Sequence, residues 1–180
     1  MMQLDLRQLG RHGRSDEHVD RTFAPEAFTA GPADEDYRVA APVHLVMDLR
    51  KERDVCRVTG QVRTRLELEC GRCLEPFEIP VESAFDLRYV PATHNAGEGE
   101  REIEEDDLTT AFYKDEALDL EELMREQFLL ALPMKPLCSE DCKGLCPECG
   151  ANLNRTSCTC APKWEDPRLA PLKALLNKEN

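Results

Sequence analysis

Six of the nine cysteines fall within 23 residues, in Cys138-Ser-Glu-Asp-Cys142-Lys-Gly-Leu-Cys146-Pro-Glu-Cys149-Gly150 and then Cys158-Thr-Cys160. Two thiols separated by two residues can grip one metal ion. In Cys146-Pro-Glu-Cys149-Gly150 the proline presets the turn. The glycine permits a left-handed conformation in which backbone N–H groups point at sulfur. Structural zinc takes four ligands and contributes folding energy directly. The segment is short and holds few large apolar residues, so a metal can replace a core. Cys146 and Cys149 are the leading ligands. The second pair is either Cys158 and Cys160 or Cys138 and Cys142, and spacing alone leaves this open. His12, His18, His44 and His94 all lie upstream. The expected site is therefore all-thiolate, closed, and structural rather than hydrolytic.

Cys70-Gly-Arg-Cys73 is a separate thiol pair between two predicted strands. A hairpin tip suits a metal knuckle. The pair can reach the C-terminal cysteines, act as a redox couple, or simply pack. A thioredoxin-like couple needs a strand leading into a helix, whereas here Pro76 and a second strand follow. The chain carries no Walker-type glycine loop, GxSxG, HExxH or GxGxxG. Nine cysteines, an odd number, without a secretory leader also argue against a disulfide framework and for a cytoplasmic protein.

The elements that must position these thiols show in the hydrophobic pattern. From Val55 to Cys70, Val58, Val62, Leu66 and Leu68 alternate with Arg57, Gln61, Arg63, Arg65, Glu67 and Glu69. Gly60 and Thr64 fall on the apolar side. A period of two marks a half-buried strand, and Gly60 suggests a bulge or bend. Phe77, Ile79, Val81, Phe85, Leu87 and Tyr89 alternate in the same way with Glu78, Glu82, Asp86 and Arg88. Val39, Val43, Leu45, Met47 and Leu49 form an earlier strand, and Pro42 suggests that it lies at an edge. Leu4, Leu6 and Leu9 suit a short strand, and Phe23 to Phe28 a turn with two apolar anchors. Residues 91–118 read as irregular. Asp119 then caps a helix, with Glu122 completing a capping box. Its stripe is Leu120, Leu123, Met124, Phe128 and Ala131, and Pro133 ends it. A last helix opens at Asp166-Pro167 and lines up Leu169, Leu172, Leu175 and Leu176.

Charge limits the partners. The 180 residues carry a net −13, of which −10 falls within residues 98–126. That stretch is a solvated loop or an acidic arm for a basic partner such as a ribosomal protein. The whole molecule repels bare phosphate. Arg57, Arg63 and Arg65, with Arg72 nearby, form the one basic cluster available to RNA. Cross-strand pairing with Glu78 and Glu82 is the simpler role for them. The 6% of aromatic residues argues against a broad stacking platform for single strands. No apolar run approaches the ~20 residues of a membrane span.

Four blocks carry a resemblance: Glu69-Cys70-Gly-Arg-Cys73-Leu-Glu-Pro-Phe77, Leu132-Pro-Met-Lys-Pro-Leu-Cys138, Cys142-Lys-Gly-Leu-Cys146-Pro-Glu-Cys149-Gly-Ala-Asn-Leu-Asn154, and Asp166-Pro-Arg-Leu169. Together they resemble the YceD-type family of large ribosomal RNA subunit accumulation proteins, formerly a domain of unknown function. The resemblance implies a bacterial or organellar protein needed for accumulation of large-subunit (23S) ribosomal RNA. It supplies no active site. Some members keep the thiol pair matching Cys70 and Cys73 but lack the C-terminal cysteines, which makes the C-terminal metal a local stabiliser of the tail.

The expectation is an α+β chain. Residues 1–97 form an antiparallel β-sheet or small barrel with a CxxC hairpin, and 98–118 an acidic linker. Residues 119–180 hold a helix, a Cys-rich zinc knuckle and a C-terminal helix packed on the β domain. The expected function is a non-enzymatic ribosome biogenesis factor. Its cofactor is structural zinc, its partner large-subunit ribosomal RNA or a precursor particle, and its oligomeric state is open. The alternative is a redox-sensitive zinc thiol-switch protein or chaperone, in which oxidation ejects zinc.

Overall fold

The computed structural model describes residues 2–7, 9, 15–28, 37–92 and 109–160. They fall into two compact units. The first takes Met1–Glu69 and Pro76–Pro136, and the second takes Cys70–Glu75 and Leu137–Asn180.

Among its described residues the first unit is mostly β-sheet with one α-helix. In chain order it has β1 (Gln3–Asp5), β2 (Asp16–Phe23), a 3-10 turn (Pro25–Phe28), β3 (Tyr37–Val39), β4 (Val43–Glu52), β5 (Val55–Glu69), β6 (Pro76–Pro91), β7 (Thr110–Tyr113), β8 (Ala117–Asp119) and α1 (Leu120–Ala131). The main sheet runs β2-β4-β5-β6-β7, with β3 also paired to β5, and β1 pairs with β8 separately. All pairs are antiparallel except β6 with β7. Among the described residues the sheet does not close, so the small-barrel alternative gives way to an open sheet.

The alternation read from the sequence is the alternation of burial. Val58, Val62, Leu66 and Leu68 are buried, while Arg57, Arg63 and Arg65 are exposed. In the ladder, Leu45 faces Val62 and Leu49 faces Val58. Across β5 and β6, Gly60 faces Phe85 and Thr64 faces Val81. The same face carries α1, whose Leu120, Leu123, Met124 and Phe128 are buried. Phe128 meets the rings of Phe28 and Tyr37 edge-on, at centroid distances of 5.6 and 5.9 Å. The two buried polar side chains among the described residues are Thr64 and Gln127. Thr64 donates to the Ala41 carbonyl and Gln127 accepts from Ser83 Oγ, at 2.9 and 3.0 Å. Both are thus satisfied, as burial requires.

Asp119 caps α1 as expected, its carboxylate accepting from the N–H groups of Glu121 and Glu122. Leu132, before Pro133, is already extended at φ −67° and ψ 135°, the conformation that a following proline imposes.

Several expectations are corrected. β4 is not an edge strand, because it lies between β2 and β5. Pro42 precedes its first residue, so the missing N–H breaks no ladder bond. Val39 belongs to β3, not to β4. β2 carries no alternation in the sequence, yet it pairs along its whole length with β4. Of residues 91–118, read as irregular, 91 ends β6, 110–113 form β7, and 117 and 118 begin β8. The helix expected to stand with the cysteines from residue 119 belongs to the first unit. The acidic run 98–107 and the helix expected from Asp166 lie outside the described residues.

Candidate metal centre

The second unit is built around two turns of the same design. In Cys70-Gly-Arg-Cys73, the Cys70 N–H donates to the Glu75 carbonyl at 3.0 Å, and the Leu74 N–H returns to the Cys70 carbonyl at 2.9 Å. In Cys146-Pro-Glu-Cys149, the Cys146 N–H donates to the Ala151 carbonyl at 2.8 Å, and the Gly150 N–H returns to the Cys146 carbonyl at 2.9 Å. The residue after the second cysteine is left-handed in both, with φ 59° at Leu74 and 72° at Gly150. This bend turns the following backbone back on the loop, so that N–H groups face the thiols.

The turns are tied to each other within the unit. Leu145 N–H donates to the Arg72 carbonyl at 3.0 Å. The Arg72 guanidinium donates to the carbonyls of Glu140 and Cys142, at 3.0 and 2.9 Å. Glu75 accepts from Asn152 Nδ2 at 3.3 Å and pairs with Arg155.

These turns collect the thiols into two sets of four. Cys70, Cys73, Cys138 and Cys142 form one set, and Cys146, Cys149, Cys158 and Cys160 the other. In each set every sulfur lies within 4.8 Å of the other three. In the first set Cys70 Sγ is 3.8 Å from Cys142 Sγ, and Cys73 Sγ is 3.7 Å from Cys138 Sγ. The thiols are not joined as disulfides. Polar hydrogens face them. Cys138 N–H donates to Cys70 Sγ at 3.4 Å, and Asn154 Nδ2 donates to Cys142 Sγ at 3.2 Å.

The electrostatics follow from this crowding. The Cys70 thiol is drawn down to about 6, chiefly by the Cys138 N–H. Cys146 falls to about 7 under the N–H groups of Cys149 and Glu148. Cys142 is lowered by the Asn154 amide. Cys138 is pushed up to about 12 by lost solvation and then by the neighbouring thiols. Cys160 reaches about 12, chiefly through its hydrogen bond with Cys149. Each set thus holds at least one thiol that ionises readily and at least one that resists. Four thiolates at this spacing need a cation.

The structure places every sequence-derived site residue. Cys146 and Cys149 meet Cys158 and Cys160, one of the two pairings left open. Cys138 and Cys142 meet Cys70 and Cys73, so the hairpin pair reaches the C-terminal cysteines. Cys56, the ninth cysteine, is buried in the first unit's core, and burial pushes it up to about 11. Sequence reasoning missed Asn154 and Asn152 as partners of the turns. It also left unused the arithmetic that eight thiols outside the core fill two four-ligand sites.

Arg57, Arg63 and Arg65 share the exposed face of β5, and each holds a carboxylate of β6. The pairs are Arg57 with Asp86 at 2.6 Å, Arg63 with Glu82 at 2.6 Å, and Arg65 with Glu78 at 3.0 Å. Hydrogen bonding to Arg57 holds the Asp86 carboxyl below the usual carboxylate range. Arg72 belongs to the second unit, where it braces the Cys138–Cys142 loop.

The left-handed turn position makes a reciprocal prediction. Gly150 has nothing within 4 Å of where a Cβ would stand, so Gly150→Ala meets only the backbone cost of φ 72°. It is expected to weaken the turn by about 1 kcal/mol. Leu74 already bears that cost and is 56% exposed, so Leu74→Gly loses little burial. It is expected to act in the opposite direction by up to about 1 kcal/mol, partly offset by glycine's unfolded-state entropy. Competition against a chelator reads both as opposite shifts in metal affinity.

Among the described residues, a β-sheet unit with one helix, joined to a unit holding two four-thiol clusters that could each hold an ion, defines the class. The family model described as large ribosomal RNA subunit accumulation protein YceD matches residues 58–176. The chain belongs to the YceD family. It is 33% identical over 157 residues to the maize protein named large ribosomal RNA subunit accumulation protein YCED homolog 1, chloroplastic, covering 74% of this chain and 53% of that protein. The Arabidopsis thaliana protein of the same name is 27% identical over 158 residues, covering 76% and 49%. An uncharacterised Mycobacterium tuberculosis protein is 32% identical over 184 residues, covering 99% of this chain and 83% of its own length. The chain thus spans about half the length of the plant relatives. No solved structure matches. Among the described residues no helix is long and apolar enough to cross a membrane.

Proposed function

We propose that this chain is a non-enzymatic ribosome biogenesis factor that supports accumulation, processing or stability of large-subunit (23S) ribosomal RNA in the cytoplasm. The observation that carries the reading is family membership, with plant relatives named for large ribosomal RNA subunit accumulation. The cofactor is structural zinc, held by cysteines of the second unit. Soft thiolate donors select zinc over the hard oxygen-seeking cations. With a net charge of −13, the favoured partner is a precursor particle already coated with protein, or a basic ribosomal protein, over naked RNA. Depleting the protein is expected to lower the ratio of 23S to 16S ribosomal RNA, and the wild-type chain to restore it. An unchanged ratio contradicts the reading.

Arg57, Arg63 and Arg65 stand as the RNA-contact candidates on this reading, with Arg72 committed to its own loop. Each of the three already holds a carboxylate, so a phosphate must displace one to be bound. Replacing all three by alanine is expected to lower association with precursor particles and to flatten its salt slope by about one unit for each lost contact. Unchanged association and an unchanged slope would leave the three arginines only their cross-strand role.

The exposure of Cys149 and Cys160 favours one second reading, a thiol switch. Mild peroxide would then release zinc and expose apolar surface. Retention of zinc under peroxide removes that reading.

A further inference from the structure

Among the described residues of the second unit, every buried side chain is a cysteine: Cys70, Cys73, Cys142 and Cys146. No leucine, valine, isoleucine or phenylalanine there is buried, so apolar burial does not hold these described residues together. We propose that the unit binds two zinc ions as separate tetrathiolates, one on Cys70, Cys73, Cys138 and Cys142, the other on Cys146, Cys149, Cys158 and Cys160. The inference deepens the zinc of the proposed function and does not depend on the role in ribosomal RNA.

Geometry carries it. A zinc–sulfur distance of about 2.3 Å places tetrahedral sulfurs about 3.8 Å apart. The Cys70–Cys142 and Cys73–Cys138 separations, opposite edges of one tetrahedron, are 3.8 and 3.7 Å. Disulfide sulfurs would stand about 2.05 Å apart. The Asn154 and Cys138 hydrogen bonds to sulfur are the outer bonds that orient thiolate ligands. The second set is carried by an equivalent turn, with the same two backbone hydrogen bonds and the same left-handed residue. Each ion that enters displaces protons from its thiols, so each site is a separate loading step.

The sites differ in reach. The first joins cysteines up to 72 residues apart in sequence and so ties segment 70–75 to segment 137–142. The second joins cysteines inside 146–160, with Cys149 and Cys160 exposed. The first ion therefore assembles the unit, and the second closes only its own loop.

Zinc content of the purified full chain, by elemental analysis and native mass spectrometry, tests this. The expected values are two ions per chain for the wild type and for Cys56→Ser, and one for Cys160→Ser. In Cys160→Ser the thiols of Cys70, Cys73, Cys138 and Cys142 remain shielded from alkylation. Cys73→Ser holds at most one ion. A wild-type chain with one ion overturns the two-site assignment while leaving zinc itself in place. A chain without zinc overturns both. Two ions retained, or both lost, in Cys160→Ser also overturns the separate sites.

Discussion

Stripping metal from the full chain with a strong chelator is expected to abolish hydrogen-exchange protection across residues 137–160 while strands β4 to β6 keep theirs. The reason is the composition of the two interiors. The first unit buries Leu45, Met47, Leu49, Val58, Val62, Leu66, Leu120, Leu123, Met124 and Phe128 around one core. Among its described residues the second buries only four cysteines and Gly144. Structural zinc in small thiol sites is worth about 10–16 kcal/mol of apparent binding free energy. Without it the described residues keep their backbone hydrogen bonds, the Arg72 and Asn152 side-chain bonds and the Glu75–Arg155 pair. Those contribute far less than the conformational entropy of ordering some 30 residues, at about 1–2 kcal/mol each. Protection that survives chelation unchanged would show that the unit folds without an ion.

The second large effect lies in the first unit, at Gly60. An alanine Cβ there would stand 2.4 Å from the Val46 carbonyl oxygen, 2.5 Å from Met47 Cβ and 2.8 Å from Met47 Cα. Two of these three are backbone atoms of β4, which cannot swing aside as a side chain can. β4 and β5 must part along a ladder that runs nine residue pairs from Glu52↔Val55 to His44↔Arg63. Gly60→Ala is expected to cost about 3 kcal/mol, the upper end of the over-packing range. That is a large share of a domain stability of about 5–15 kcal/mol. A lowered denaturation midpoint with unchanged metal content is the expected result. An unchanged midpoint would mean that β4 and β5 do not approach this closely.

These two sites show where the sequence was legible. β5 and β6 each alternate for more than a dozen residues between an apolar and a charged face, so position and facing could be read directly. The cap at Asp119 and the stop at Pro133 are local signals and held. Gly60 was noticed, but as a bend. Its role is a close approach of two strands, which depends on the register with β4 and not on local sequence. β2 was missed because its one buried residue is Val19. It is held to β4 by backbone pairing and by polar partners, Asp16 with Arg50 and His18 with Asp48. Such a strand has no period to read. β7 and β8 have only four and three residues, and their register comes from β6 and β1.

The thiols divided in the same way. The turn Cys146-Pro-Glu-Cys149-Gly150 announced itself through proline and glycine. Its counterpart at Cys70 carries Leu74 where glycine would stand, so the shared design was hidden. Which pair meets which was equally hidden, because Cys73 and Cys138 are 65 residues apart and only the fold joins them.

The proposed function requires this YceD-family chain to act on the assembling large ribosomal subunit. The direct test is the sedimentation of the tagged chain through a ribosome gradient, with the bound RNA sequenced. Co-migration with immature large-subunit particles and enrichment of 23S sequence are expected. Sedimentation only as free protein, with no ribosomal RNA enriched, would contradict it.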